Sequence, residues 1–309
     1  MPPVSKQPAQ PQFASGSLLA GAVPVSSLRE DRVKVCIYGR NRSGKTTLAA
    51  QFPKPILVIS SEPGATGGAT SIATTEGVSL IRVSSKRMVD PTTKLPEKVY
   101  GSAKVVGIAN ELAQANPFAT VILDTITSLQ DVILVEFMGL SKVPEMLSWG
   151  FVPDGVYQNR AEKLRETVRP ILELENCNVV ILAQEKDHNA SEDRSGRSKL
   201  MHTMQQGSFM APSLGSTNAE WLETNCGYVI QIYEDELQQE VSIPRAGAPP
   251  ITQRVGTGKR QRHLRLLYHP NFAAGGRWVF ERGTPEFVTA PTPRELYEAM
   301  ARYVPSLKV

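Results

Sequence analysis

The chain has 309 residues, 41 % of them hydrophobic and 21 % charged, and its formal net charge of +4 is too mild to argue for nucleic acid. No apolar run approaches the roughly 18 residues that a membrane-spanning helix requires, and the N-terminus has no basic-then-apolar leader, so a cytoplasmic protein with no membrane contact is expected. Cys36, Cys177 and Cys226 are odd in number and lack metal-ligand spacing, which predicts reduced structural thiols.

Residues 1–29 read as a disordered N-terminal tail, because Pro2, Pro3, Pro8 and Pro11 alternate with Gln, Ser, Ala and Gly and little there can pack. From Asp31 the pattern changes to short β-rich runs separated by helical segments. Val33 to Tyr38 is the first strand, and Gly39-Arg40-Asn41-Arg42-Ser43-Gly44-Lys45-Thr46 follows it directly. A short helix is predicted from Lys45 to about Phe52, where Pro53 stops it. Strand, loop and helix in this order separate a phosphate-binding loop from a chance glycine-rich turn. Gly39 and Gly44 let the backbone curl so that successive N–H groups face phosphate oxygens, and the helix start adds partial positive charge. Lys45 is placed to reach the β- and γ-phosphates, and the Thr46 hydroxyl to ligate Mg²⁺. The candidate nucleotide set runs through Gly39, Arg40, Asn41, Arg42, Ser43, Gly44, Lys45, Thr46 and Thr47. ATP with Mg²⁺ is the expected ligand, GTP being left open.

Further strands are predicted over 55–60, 78–83, 120–124 and 178–183, with helices over 101–115 and 156–174 between them. Near-continuous apolar strands alternating with helices predict an α/β fold, its mainly parallel sheet covered on both faces. Asp124 ends the strand Thr120 to Leu123, where ligands of open α/β sheets gather, so it is the candidate Mg²⁺ carboxylate; a helix N-cap is the alternative. Thr125 follows it, so no second acid stands beside Asp124. Glu62, after the second strand, is the candidate for orienting and deprotonating the attacking water, or else a turn residue before Pro63-Gly64. Gln184 ends the last of these strands, where an amide can donate to the γ-phosphate or serve structure alone.

The P-loop with Gly44-Lys45-Thr46-Thr47, Glu62 after the second strand, Leu123-Asp124-Thr125 and a strand ending at Gln184 resemble the RecA-like ATPases. More closely, with Trp149-Gly150 and a long helix leading to Asn178 to Ile181, the chain resembles the phage-encoded RecA-like ATPases of single-strand annealing recombination, over roughly 30–235. The resemblance implies that the strand ending at Ala183 lies between the P-loop strand and the Asp124 strand. It also implies that Glu62 activates water and Gln184 switches between nucleotide and DNA. Residues 236–309 extend past the family's compact core as a basic, β-rich extension with a terminal helix packed on the core.

DNA contact has two sequence candidates. Residues 187–218 are long, polar and irregular, and follow Gln184 where RecA-like proteins carry a DNA-binding loop; Arg194, Arg197 and Lys199 would meet phosphates and Phe209 would stack on a base. Residues 241–280 contain no Asp or Glu but carry Lys259, Arg260, Arg262 and other arginines, with aromatics interspersed. That patch would track DNA, or offer a finger such as Lys259 or Arg260 to a neighbouring subunit's γ-phosphate, or remain a solvated surface. A hairpin is predicted from Leu264–Tyr268 and Arg277–Phe280, and a capped helix over 292–303. The expected function is a Mg²⁺-dependent ATPase that binds single-stranded DNA as a homo-oligomer and supports phage recombination or annealing, in the host cytoplasm, with a single-stranded-DNA-binding protein as a candidate partner. The alternatives are a helicase-loader or packaging-type ATPase and a nucleotide-gated binding module with little turnover.

Overall fold

Apolar side chains on both faces of short strands force a sheet to be covered on both sides, and the chain folds that way. The computed structural model describes residues 32–62, 68–84, 86–89, 96–138, 154–189, 208–245, 248–267, 269, 272–276, 283–304 and 306–307. The expected tail over 1–29, with Arg194, Arg197, Lys199 and the 277–280 half of the expected hairpin, lies outside them.

The elements in order are β1 (Lys34–Gly39), α1 (Lys45–Ala49), β2 (Ile56–Ser60), a 3-10 turn (Gly68–Ile72), β3 (Val78–Arg82), β4 (Lys86–Val89), β5 (Pro96–Val99), α2 (Gly101–Gln114), β6 (Thr120–Asp124) and α3 (Ile126–Phe137). They continue with α4 (Asp154–Leu172), β7 (Asn178–Asn189), β8 (Ser208–Pro212), α5 (Ser216–Asn225), β9 (Tyr228–Arg245), β10 (Ala248–Arg265), β11 (Gly275–Gly276), β12 (Phe287–Ala290) and α6 (Pro293–Ala301).

The main sheet runs β12-β10-β9-β1-β7-β6-β2-β3. From β3 to β9 every neighbour is parallel, and β9-β10 and β10-β12 are antiparallel. β7 therefore sits between β1 and β6, as the RecA-like arrangement requires, and the α/β reading with added C-terminal strands holds.

Alternate residues of each strand feed opposite cores. Cys36, Tyr38, Ile59, Leu123 and Ile181 pack with α2, α3, α4 and α5 on one face. Ile37, Val58, Ile122 and Leu182 pack with α1 and α6 on the other. Each such fully buried aliphatic side chain stabilises by about 1.5–3 kcal/mol. On the second face Tyr297 of α6 meets Phe52 edge-on, ring centroids 5.1 Å apart, so the terminal helix buttresses the segment just after α1.

Three elements differ from expectation. α1 ends at Ala49 rather than near Phe52. β7 continues past Gln184 to Asn189 and pairs antiparallel with β8, so the expected irregular stretch over 187–218 begins in strand, returns as strand at Ser208–Pro212 and ends in the first turn of α5. Of the expected 264–268 strand only Leu264 and Arg265 are strand, and they end a much longer one: β10 pairs along β9 as an 18-by-18-residue ribbon, and Arg262–Arg265 also pairs with β12. The expected boundary near residue 235 falls inside β9.

Candidate nucleotide-binding site

Strand register alone gathers the site. Ser60 of β2 lies opposite Asp124 of β6, Asp124 opposite Leu182 of β7, and Gly39 of β1 opposite Gln184. The carboxyl ends of four parallel strands thus reach one level, where open α/β sheets bind ligands. Glu62 follows β2 two residues later. A cavity of about 560 Å³ opens there, lined among others by Lys45, Thr46, Glu62, Asp124, Gln184 and Arg262.

The loop over Gly39–Gly44 is shaped by close approach and by left-handed backbone. A Cβ on Gly39 would lie 2.2 Å from the Ile232 carbonyl oxygen of β9, so only glycine fits. Gly44 has φ +93°, and Arg42 adopts φ +66° beside it. Asn41, Arg42, Gly44 and Thr47 line the cavity, whereas Ser43 is buried and Arg40 turns toward Glu185, its Nε 3.8 Å from Oε1.

Lys45 is 7 % exposed, and its Nζ donates to the carbonyl oxygens of Gly39 at 2.9 Å and Arg40 at 2.8 Å. Burial lowers its pKa, while Asp124, Glu62 and Glu185 pull the other way. Asp124 is 1 % exposed, and its Oδ2 accepts from the Thr46 hydroxyl at 3.1 Å. Burial first and the Glu62 charge second push its carboxyl up to about 6, against the Thr46 hydrogen bond and Lys45. The alternative role of Asp124 as a helix cap is filled by its neighbour: the Thr125 hydroxyl accepts from the Ser128 N–H at the start of α3.

Glu62 faces the same cavity, and its Oε2 accepts from the Gly68 N–H at 2.5 Å. Gln184 is fixed through its backbone: its N–H donates to the Thr127 hydroxyl at 3.1 Å, and its carbonyl accepts from Ser213 at 2.6 Å. Beyond it the backbone of Phe209 in β8 lies opposite His188 of β7. The three basic candidates separate. Arg262 lines the cavity, Arg260 is 78 % exposed near Glu234, and Lys259 lies exposed on the ribbon.

Gly68, Thr70, Ser71 and Ser128 also line the cavity and were not apparent in the sequence. A Cβ on Gly68 would lie 2.5 Å from Thr46 Oγ1 and 3.2 Å from Asp124 Oδ2. The Gly67-Gly68 pair was the available signal, since paired glycines mark close backbone approach.

The donor set suits Mg²⁺. Among the described residues no group of three or more His, Cys, Asp or Glu gathers as a metal cage. One carboxylate and one hydroxyl, Asp124 and Thr46, are what Mg²⁺ takes when phosphates and waters complete its octahedron. Among the described residues no helix is long and apolar enough to cross a membrane.

A family described as an AAA domain matches residues 31–278. No curated protein sequence matches. Solved structures with remote likeness include a KaiC-like protein from Pyrococcus horikoshii OT3, 13 % identical, covering 84 % of this chain and 90 % of that one at a TM-score of 0.35. The flagellar accessory protein FlaH from Methanocaldococcus jannaschii is 10 % identical over 77 % of this chain and 80 % of its own, with a TM-score of 0.32. The RadB recombinase is 14 % identical over 85 % and 88 %, with a TM-score of 0.34.

Proposed function

The chain belongs to the AAA-domain family matched over residues 31–278, and from that premise we propose that it is a Mg²⁺-dependent ATPase that binds single-stranded DNA and supports phage recombination or strand annealing. In this reading Lys45 leaves its two loop carbonyls to meet the β- and γ-phosphates. Thr46 and Asp124, already in contact, hold the metal, which neutralises developing phosphate charge when bound. Glu62, anchored by Gly68, orients and deprotonates the attacking water. Lys259 and Arg260, exposed on the ribbon, would meet DNA or a neighbouring subunit in a homo-oligomer, and a single-stranded-DNA-binding protein is a fitting partner.

The observation that carries the DNA part is the course of β7. Gln184 lines the nucleotide cavity, and the same strand runs on to Asn189 where β8 pairs with it. A change in the hydrogen bonding of Gln184 is thereby transmitted to the root of the segment between β7 and β8. The test is anisotropy of a labelled single-stranded oligonucleotide with a non-hydrolysable ATP analogue or with ADP. Tighter binding with the triphosphate, with the difference lost in Gln184→Ala at unchanged nucleotide affinity, supports the coupling. Equal DNA affinity in both nucleotide states sinks it.

A further inference from the structure

We propose that Arg262 clamps the phosphates of the bound nucleotide in cis, at the Gly44–Lys45 end of its own chain's P-loop, and that Glu234 is the positioning residue that aims it. This rests on the nucleotide-binding reading and adds a residue to that site. A Cβ built on Gly44 would lie 3.2 Å from Arg262 Nε and 3.5 Å from its Cζ, so the guanidinium rests directly on the glycine backbone. It lines the same cavity as Lys45, Thr46 and Asp124.

The root of this side chain is held on both sides. Arg262 pairs in register with Glu234 of β9 and with Ala290 of β12, in the antiparallel part of the sheet. Glu234 Oε1 accepts from Arg262 Nε at 2.8 Å. With Nε engaged by Glu234, the two terminal nitrogens of the guanidinium form the fork end offered to phosphate. Arg260, on the same face of β10 two residues earlier, reaches Glu234 only at 3.8 Å and is 78 % exposed. One carboxylate therefore faces two guanidiniums, and the trio keeps a net positive charge toward the loop.

Position decides which step the clamp serves. The backbone N–H groups of a P-loop cradle the α- and β-phosphates, while the lysine reaches the β- and γ-phosphates. A guanidinium over Gly44 is therefore on the side shared by ATP and ADP. Its loss is expected to weaken ground-state binding, raising KM more than it lowers kcat. A finger delivered by a neighbour to the γ-phosphate would do the reverse, lowering kcat.

The experiment titrates a fluorescent ADP into wild type, Arg262→Ala, Arg262→Lys, Glu234→Ala and, as control, Arg294→Ala on α6, with thermal unfolding of each. Arg262→Ala is expected to weaken ADP about 10–100-fold, the loss of a charge-assisted hydrogen-bond pair. Arg262→Lys is expected to recover part of that, Glu234→Ala to raise KM for ATP with kcat kept, and the exposed Arg294→Ala to stay within about twofold. Mixing Arg262→Ala with Lys45→Ala is expected to give no hydrolysis beyond the sum of the two. ADP affinity unchanged in a folded Arg262→Ala, or hydrolysis restored on mixing, overturns the cis clamp. Wild type that binds no ADP would instead remove the nucleotide reading beneath it, so the two failures are told apart.

Discussion

Gly68→Ala places a methyl group where Thr46 and Asp124, the proposed metal-holding pair, meet. The added Cβ would come within 2.5 Å of Thr46 Oγ1, against about 3.4 Å for ordinary contact, and within 3.2 Å of Asp124 Oδ2. Thr46 must then yield by about 1 Å, and misplacing a reacting-centre group by that much lowers turnover by about 10²-fold. Yielding also costs stability, by about 1–3 kcal/mol as at other overpacked sites, because Thr46 and Asp124 are buried. The backbone adds no strain of its own, since the φ of Gly68 lies outside the left-handed region. The assay is steady-state hydrolysis across a Mg²⁺ titration, with unfolding by denaturant as control. The expected result is kcat/KM lower by about 10²-fold, a raised Mg²⁺ requirement, and a stability loss of about 1–3 kcal/mol that leaves the protein folded under assay conditions. Wild-type turnover at ordinary Mg²⁺ would refute the reasoning, because it would mean that Thr46 and Asp124 do not jointly hold the metal.

Other perturbations separate chemistry from scaffold. Glu62→Gln is expected to keep nucleotide affinity within a few-fold while turnover falls by at least about 10²-fold, read from binding and hydrolysis on the same sample. Glu223 of α5 is held by burial, and then by Glu220, at about 7 against an ordinary 4.5. The folded state therefore binds that proton more tightly than the unfolded chain, so its contribution to stability is fully present below about pH 4.5 and is lost as pH rises through about 7. Urea unfolding between those pH values should show a decline of at most ~3 kcal/mol from this group, absent in Glu223→Gln. Thr292 caps α6, its hydroxyl accepting from Glu295 N–H at 3.3 Å, and Thr292→Ala should cost about 1 kcal/mol of unfolding free energy. Leu296→Ala, fully buried on the same helix, should cost about 2–5 kcal/mol by the same measurement.

Much of the site was legible because its signals are local. The glycines and Lys45-Thr46 sit at fixed spacing after an apolar strand, and Asp124, Glu62 and Gln184 each follow a buried strand whose alternation into both cores reads as a continuous apolar run. What escaped depends on distant pairing. Gly68 matters only because its backbone passes over Thr46, and Arg262, a sequence candidate for DNA or a neighbouring subunit, reaches its own chain's cavity only because β10 is brought back along β9. The β9–β10 ribbon itself was missed for a physical reason. Beyond Tyr233 it carries exposed Leu237, Val241 and Val255 among charged and amide residues, so hydrophobic periodicity gave no strand signal. The hairpin expected at Leu264 took its cue from a local apolar run, whereas Leu264 is buried between β9 and β12.

The most direct test is steady-state ATP hydrolysis with no DNA, with single-stranded DNA and with duplex, using Lys45→Ala as the blank. The account predicts Mg²⁺-dependent hydrolysis that single strands stimulate, duplex stimulates less, and Lys45→Ala abolishes in every case. Hydrolysis that persists in Lys45→Ala, or that no DNA alters, would contradict it.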